Sequence, residues 1–189
     1  MRAMILGAAA LLLCACGQQA QTASAPNPSG CTRSASHQVV WTDPQAPDSI
    51  TVRSGGPSCV QAVVSLVARN ARGDPLWTFI NTYHDMTTGG VATEDAPMVS
   101  SEQVDHFLAG WANVTAQTSD LLPEWREGAD NVGTNGGLTY TTAFSRESYE
   151  AMRQRNLRMI CYAAAVEATQ CLVLDPTSNS PVMIVAYGP

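Results

Sequence analysis

The chain has no lysine; all ten of its basic residues are arginine. That absence excludes a phosphate-cradling P-loop, whose motif requires lysine. Schiff-base catalysis and serine–lysine dyads fall with it. HExxH and GxSxG are missing too, so the common zinc-protease and serine-hydrolase signatures are absent. No pair of cysteines forms CxxC, which argues against a redox motif or a zinc ribbon. No motif implies a cofactor, a metal or a catalytic residue set.

Long apolar runs are scarce as well. The one that stands out, Ile5 to Leu13, is far shorter than the roughly 20 residues a bilayer span needs. It follows the singly charged Met1-Arg2-Ala3-Met4 and ends in Leu13-Cys14-Ala15-Cys16. A charged start, an apolar centre and a small residue at the cut describe a secretory signal. Those last four residues resemble the lipobox of bacterial lipoproteins, with Leu13 and Ala15 at its aliphatic and small positions and an unusual Cys14 between them. The resemblance implies cleavage before Cys16, lipidation of Cys16 and palmitate-type acyl chains. Two or more such chains give stable attachment. Gly17 stands where aspartate tends to hold lipoproteins in the inner membrane, so the implied address is the outer membrane, facing the periplasm.

Gly17 to Gly30 is small, polar, proline-bearing and uncharged. Such a segment buries too little apolar surface to offset its ordering entropy. It is expected to act as a flexible tether with a reach of about 20 Å. The organisation is then a signal over 1–15, the acylated cysteine and tether over 16–30, and one α+β domain over 31–189. The last of these, 159 residues, is long enough for its own core. Without Arg2 the mature chain has nine arginines against sixteen carboxylates, a balance of −7. An acidic chain with no basic cluster argues against nucleic acid as a partner.

Four cysteines remain beyond the export region: Cys31, Cys59, Cys161 and Cys171. An even number in an exported chain implies a disulfide framework with three possible connectivities. The expected one joins Cys161 to Cys171 across a hairpin and Cys31 to Cys59, stitching the tether's end to the body. Each bridge is worth about 2–4 kcal/mol through the unfolded state.

Period-two alternation marks a strand from Val60 to Asn70 and its return from Leu76 to Asp85, joined by a turn. Short β-like runs precede them at Val39 to Trp41 and Ile50 to Arg53. Ser100 and Gln103 have capping-box spacing before a helix to Thr115, with Val104, Phe107, Leu108 and Trp111 on one stripe. Alternation returns from Leu138 to Phe144. A second helix is expected from Arg146 to Asn156, capped by Ser145, with its acids early and its arginines late. Strands follow over Met159 to Val166, Cys171 to Leu174 and Val182 to Tyr187. The pattern is α+β: an antiparallel sheet with two helices packed to one side.

Candidate chemistry is thin. His106 falls about 200° from Val104 around its helix, on the solvent side. His84 alternates away from Trp77, Phe79 and Tyr83, which puts it on the less buried face of its expected strand. Neither has the ligand cluster that zinc needs. Glu94, Asp95, Glu124, Glu127 and Asp130 lie in expected loops, where nothing sets the spacing that paired carboxylates require. The 21-residue stretch Gln117 to Gly137 is more telling, because loops of that length are usually functional or disordered. Leu121, Leu122, Pro123 and Trp125 do not suit a disordered one, and a cap on the core is their expected role. With His84 from the end of its expected strand and Glu94 from the loop before the first helix, Trp125, Leu121 and Leu122 mark the candidate binding surface, between the two loops.

The expectation is therefore a noncatalytic envelope lipoprotein that binds or positions an envelope protein or a cell-wall partner. Two alternatives stand beside it. One is a tethered hydrolase using His84 or His106 with a carboxylate; the other is an inhibitor of a cationic secreted hydrolase such as lysozyme.

Overall fold

The computed structural model describes residues 30–189. The lipobox-like Leu13–Cys16, with Cys16 itself and nearly all of the tether, lies outside the described residues.

Four antiparallel strands form the first sheet in chain order. They are β1 (Arg33–Asp43), β2 (Ala46–Gly55), β3 (Val63–Arg69) and β4 (Pro75–Thr82). The first two extend well beyond the short runs that the sequence marks. Between Val39 and Asp43 the β1–β2 register slips. Asp48 repairs the gap: fully buried, it accepts from the amides of Trp41 (3.1 Å) and Thr42 (2.6 Å) and from the Thr42 hydroxyl (2.7 Å). Ala62, Val64, Leu66 and Ala68 are buried, as their alternation implies. In the β3–β4 turn, Asn70 Oδ1 accepts from the amides of Arg72 and Asp74, and Gly73 takes the positive φ of +88°.

β4 stops at Thr82, three residues earlier than alternation suggests. Thr82 caps a short helix, α1 (Tyr83–Thr87), by accepting from the Asp85 amide at 3.1 Å. His84 therefore sits on a helix, not on the outer face of a strand. Local capping overrides the alternating pattern here, because the Thr82 hydroxyl satisfies an amide that the ladder would otherwise need. The next helix, α2 (Ser101–Ala112), has the full capping box between Ser100 and Gln103. Val104, Leu108 and Trp111 are buried on its stripe, and Asp105 and His106 are exposed.

The remaining strands form a second antiparallel sheet in the order β5-β8-β9-β10-β7-β6. They are β5 (Thr115–Thr118), β6 (Gly133–Asn135), β7 (Leu138–Thr141), β8 (Arg158–Ala165), β9 (Ala168–Leu174) and β10 (Pro181–Gly188). Helix α3 (Arg146–Gln154), capped by Ser145, connects β7 to β8. The α+β class, the antiparallel pairing and both disulfides stand as the sequence indicates. The strands divide between two sheets, and a third helix is present. Cys161 lies directly opposite Cys171 across β8 and β9, and the two are bonded. Cys31 is bonded to Cys59.

The second sheet has a core on each face. Ile160, Tyr162 and Leu172 pack with the inner face of the first sheet and with α2. Met159, Cys161, Cys171 and Val173 pack on the opposite side with Tyr149 and Met152 of α3. In β10, a register shift between Met183 and Val185 places both Ile184 and Val185 in that second core. Each fully buried aliphatic side chain contributes about 1.5–3 kcal/mol. Buried polar groups tie the layers: Trp77 Nε1 donates to the Tyr162 hydroxyl (2.9 Å), which donates to Gln170 (2.7 Å).

β5 pairs with β8 only up to Cys161. Beyond it, Trp111 Nε1 donates to the Ala163 carbonyl (2.9 Å) and Asn81 Nδ2 to the Ala164 carbonyl (3.2 Å). Side chains thus take the place of a strand at this edge. The outward face of the first sheet has no element packed on it within the described residues. It reads in rows across the strands, Ser34–Arg53–Ser65–Ile80 and Ser36–Thr51–Val67–Thr78.

Candidate functional site

The stretch from Gln117 to Gly137, expected to lack elements of its own, contains the end of β5, a 3-10 turn (Ser119–Leu121) and β6. Ser119 is fully buried; its hydroxyl donates to the Met152 carbonyl at 2.8 Å and accepts from the Leu157 amide at 2.9 Å. Leu122 is buried and Trp125 is half-buried, both in the second core, where Trp125 meets Tyr149 edge-on at 6.0 Å. Capping the core is therefore the role of these two. Leu121 remains 67% exposed.

Polar contacts then hold the loop in one shape. The Trp125 amide donates to Glu150 Oε1 (2.6 Å) and its indole to the Ala129 carbonyl (3.1 Å). Glu150 Oε2 accepts from Arg153 Nε (2.8 Å), and Arg153 reaches Glu124 (3.1 Å). The Tyr149 hydroxyl donates to the Pro123 carbonyl (2.7 Å). Asn131 bridges to Thr142, donating to its carbonyl and accepting from its amide. Gly133 has φ +99°, and a Cβ there would lie 3.3 Å from the Arg126 Cβ, so glycine lets the loop close on itself.

These contacts perturb the groups that make them. Burial pulls the Glu150 carboxyl upward, but the Trp125 amide and Arg153 outweigh it and hold the group below its ordinary range. Burial pushes the Tyr149 hydroxyl well above its ordinary value. Glu150 is thus an ionised structural anchor, and Tyr149 stays neutral at physiological pH.

The loop, the β6 strand and the start of α3 enclose an open polar groove of about 520 Å³. Trp125, Arg126, Glu127, Thr134, Asn135 and Arg146 contribute to its wall. Among the described residues, Arg126, Glu127 and Arg146 make no ion pair, so their charges face whatever enters. Sequence reasoning missed Glu150 and Arg153 because the early-acid, late-base order on α3 already had a reading in the helix dipole, and Arg146 stood only as the start of that helix. The i,i+3 spacing of Glu150 and Arg153 is the signal that marks one face.

His84 and Glu94 do not line this groove. His84 lies half-buried on α1, and Glu94 is exposed in the loop before α2. His106 edges a more apolar groove of about 400 Å³ against Phe107, Trp111, Tyr162 and Tyr187. Among the described residues, no side-chain hydrogen bond or ion pair joins His84 or His106 to a carboxylate. No group of three or more histidine, cysteine, aspartate or glutamate side chains there is placed to hold a metal ion. No helix among them is long and apolar enough to cross a membrane.

No family model, curated protein or solved structure matches this chain.

Proposed function

We propose that this protein is a noncatalytic envelope lipoprotein, anchored through Cys16, whose head binds an envelope protein or a cell-wall partner through the Trp125 groove. The anchor half of the reading is supported by Leu13-Cys14-Ala15-Cys16 and the uncharged segment after it. The observation that carries the binding half is the bond from the Trp125 amide to Glu150. It fixes the middle of a long surface loop and, among the described residues, leaves Arg126 and Glu127 just beyond it without an ion pair. A preorganised loop loses little entropy on engaging a partner, so more of its contact energy appears as affinity.

A photo-activated cross-linker placed at Thr134, on the groove wall, tests this in intact cells. Discrete adducts from Thr134, absent from a control position at Thr177 on the β9–β10 turn, are expected. Equal labelling from both positions, or none from either, overturns the binding site.

A further inference from the structure

We infer that the outward face of the first sheet is a docking surface for the bilayer itself, and that the tethered head lies on anionic lipid headgroups through Arg53 and Arg69. The inference rests on the lipoprotein reading and adds an orientation to it. Three observations carry it.

The first is charge. All sixteen carboxylates lie in the described residues, and none is on this face. It presents Arg53 and Arg69 among serine, threonine, glutamine and branched aliphatic side chains. Among the described residues neither arginine makes an ion pair; Arg69 donates only to the Gly73 carbonyl (3.1 Å). Of the acids nearest in the chain, Asp48 is buried on the opposite side of β2, Asp43 and Asp74 are at the turns that bound the face, and Asp74 is paired with Arg72. The mature chain is expected to carry a net charge of −7, so a broad face with two arginines and no carboxylate is where an anionic bilayer would be attracted. The second is apolar exposure: Ile80 is 62% and Val63 48% exposed on the same face. Both can sit at the headgroup boundary without bringing a carboxylate with them.

The third is where the tether ends. Cys31 is bonded to Cys59 and donates its amide to the Gly56 carbonyl at 3.0 Å, and β1 begins two residues later. The tether therefore leaves from the rim of this sheet. Its reach of about 20 Å keeps that rim near the lipid. Tethering also raises the local concentration of headgroups to the millimolar range, so weak contacts suffice. Each arginine near an anionic surface strengthens attachment about fivefold. The Trp125 groove belongs to the layer on the far side of the second sheet, so this orientation leaves it open to the periplasm.

The full chain, purified with its anchor and inserted in nanodiscs of phosphatidylethanolamine and phosphatidylglycerol, provides the test. A nitroxide on a fraction of the headgroups broadens nearby amide signals. Amides of Thr51, Arg53 and Ser65 are expected to broaden far more than that of Thr134. Arg53→Gln should lower the docked-to-free ratio about fivefold. Salt near 1 M, where the Debye length falls to about 3 Å, should remove the asymmetry in the unaltered protein. Equal broadening on both faces, or asymmetry indifferent to salt, overturns the docking surface while an acylated Cys16 leaves the anchor standing. An intact mass showing unmodified Cys16 removes the lipoprotein reading and this inference together.

Discussion

The backbone amide of Trp125 donates to the carboxylate of Glu150 at 2.6 Å, so a helix side chain holds the centre of a loop 25 residues earlier. Glu150 also holds Arg153, which is only 13% exposed. Replacing Glu150 with alanine strips both partners at once. The expected loss is about 2–3 kcal/mol, read by urea unfolding, with a change in Trp125 fluorescence. The carboxyl is held below its ordinary value of 4.5 in the folded protein. It therefore contributes stability above that pH, and the contribution is lost as pH falls through the folded value. Glu150→Gln should lack this acid-side loss; an unchanged pH dependence would count against the anchor.

Asp48 offers a sharper contrast between two substitutions. Asp48→Ala leaves the amides of Trp41 and Thr42 without acceptors in a fully buried site, at an expected cost of about 3 kcal/mol. Asp48→Asn keeps one acceptor for both amides and turns its NH₂ toward the Thr42 hydroxyl, so about 1 kcal/mol is expected. Thermal melts of the two variants should separate clearly.

The two disulfides differ in access. Cys161 and Cys171 are 3% and 0% exposed in the second core, whereas Cys59 is half-buried in the segment between β2 and β3. Under mild reductant without denaturant, alkylation should reach Cys31 and Cys59 before Cys161 and Cys171, because exchange requires access to a sulfur. Peptide mapping of a timed reduction gives the order. Without reductant, none of the four should be alkylated.

Tyr162 contributes to stability on the alkaline side. Burial pushes its hydroxyl up to about 12, against a smaller opposing effect of the bond from Trp77. A folded pKa above the ordinary value of 10.0 means stability is fully present below pH 10 and is lost as pH rises toward 12. Tyr162→Phe should be less stable at neutral pH by about 1–2 kcal/mol, having orphaned Trp77 and Gln170. Its stability should also fall less steeply between pH 10 and 12 in denaturant titrations at each pH.

Legibility followed the range of the forces involved. The β3 alternation of Val64, Leu66 and Ala68, the Ser100–Gln103 box and the Ser145 cap are decided within a few residues, and each stands in the structure. α1 was readable in principle, since Thr82 and Asp85 have capping spacing, but the alternation through Tyr83 masked it. The extra length of β1 was not readable, because Asp48 closes its irregular end from the neighbouring strand. The Trp125 groove was half legible: Trp125 and Leu122 signal a folded loop, but Glu150 and Arg153 reach it only through packing of α3. His84 and Glu94 were grouped with it on nearness to the same helix, and they lie elsewhere.

Composition alone determined the excluded chemistries, since a chain without lysine cannot build a lysine site in any fold. Local pattern determined the antiparallel α+β class, and the expected cysteine pairing rested on placing Cys161 and Cys171 in one hairpin. Tertiary structure decided that the strands split into two sheets, because side-chain period says which face is buried but not against what. It also decided that every carboxylate would leave the outward face of the first sheet. Charge in a sequence is a sum, and only the register of four paired strands turns Arg53 and Arg69 into a surface.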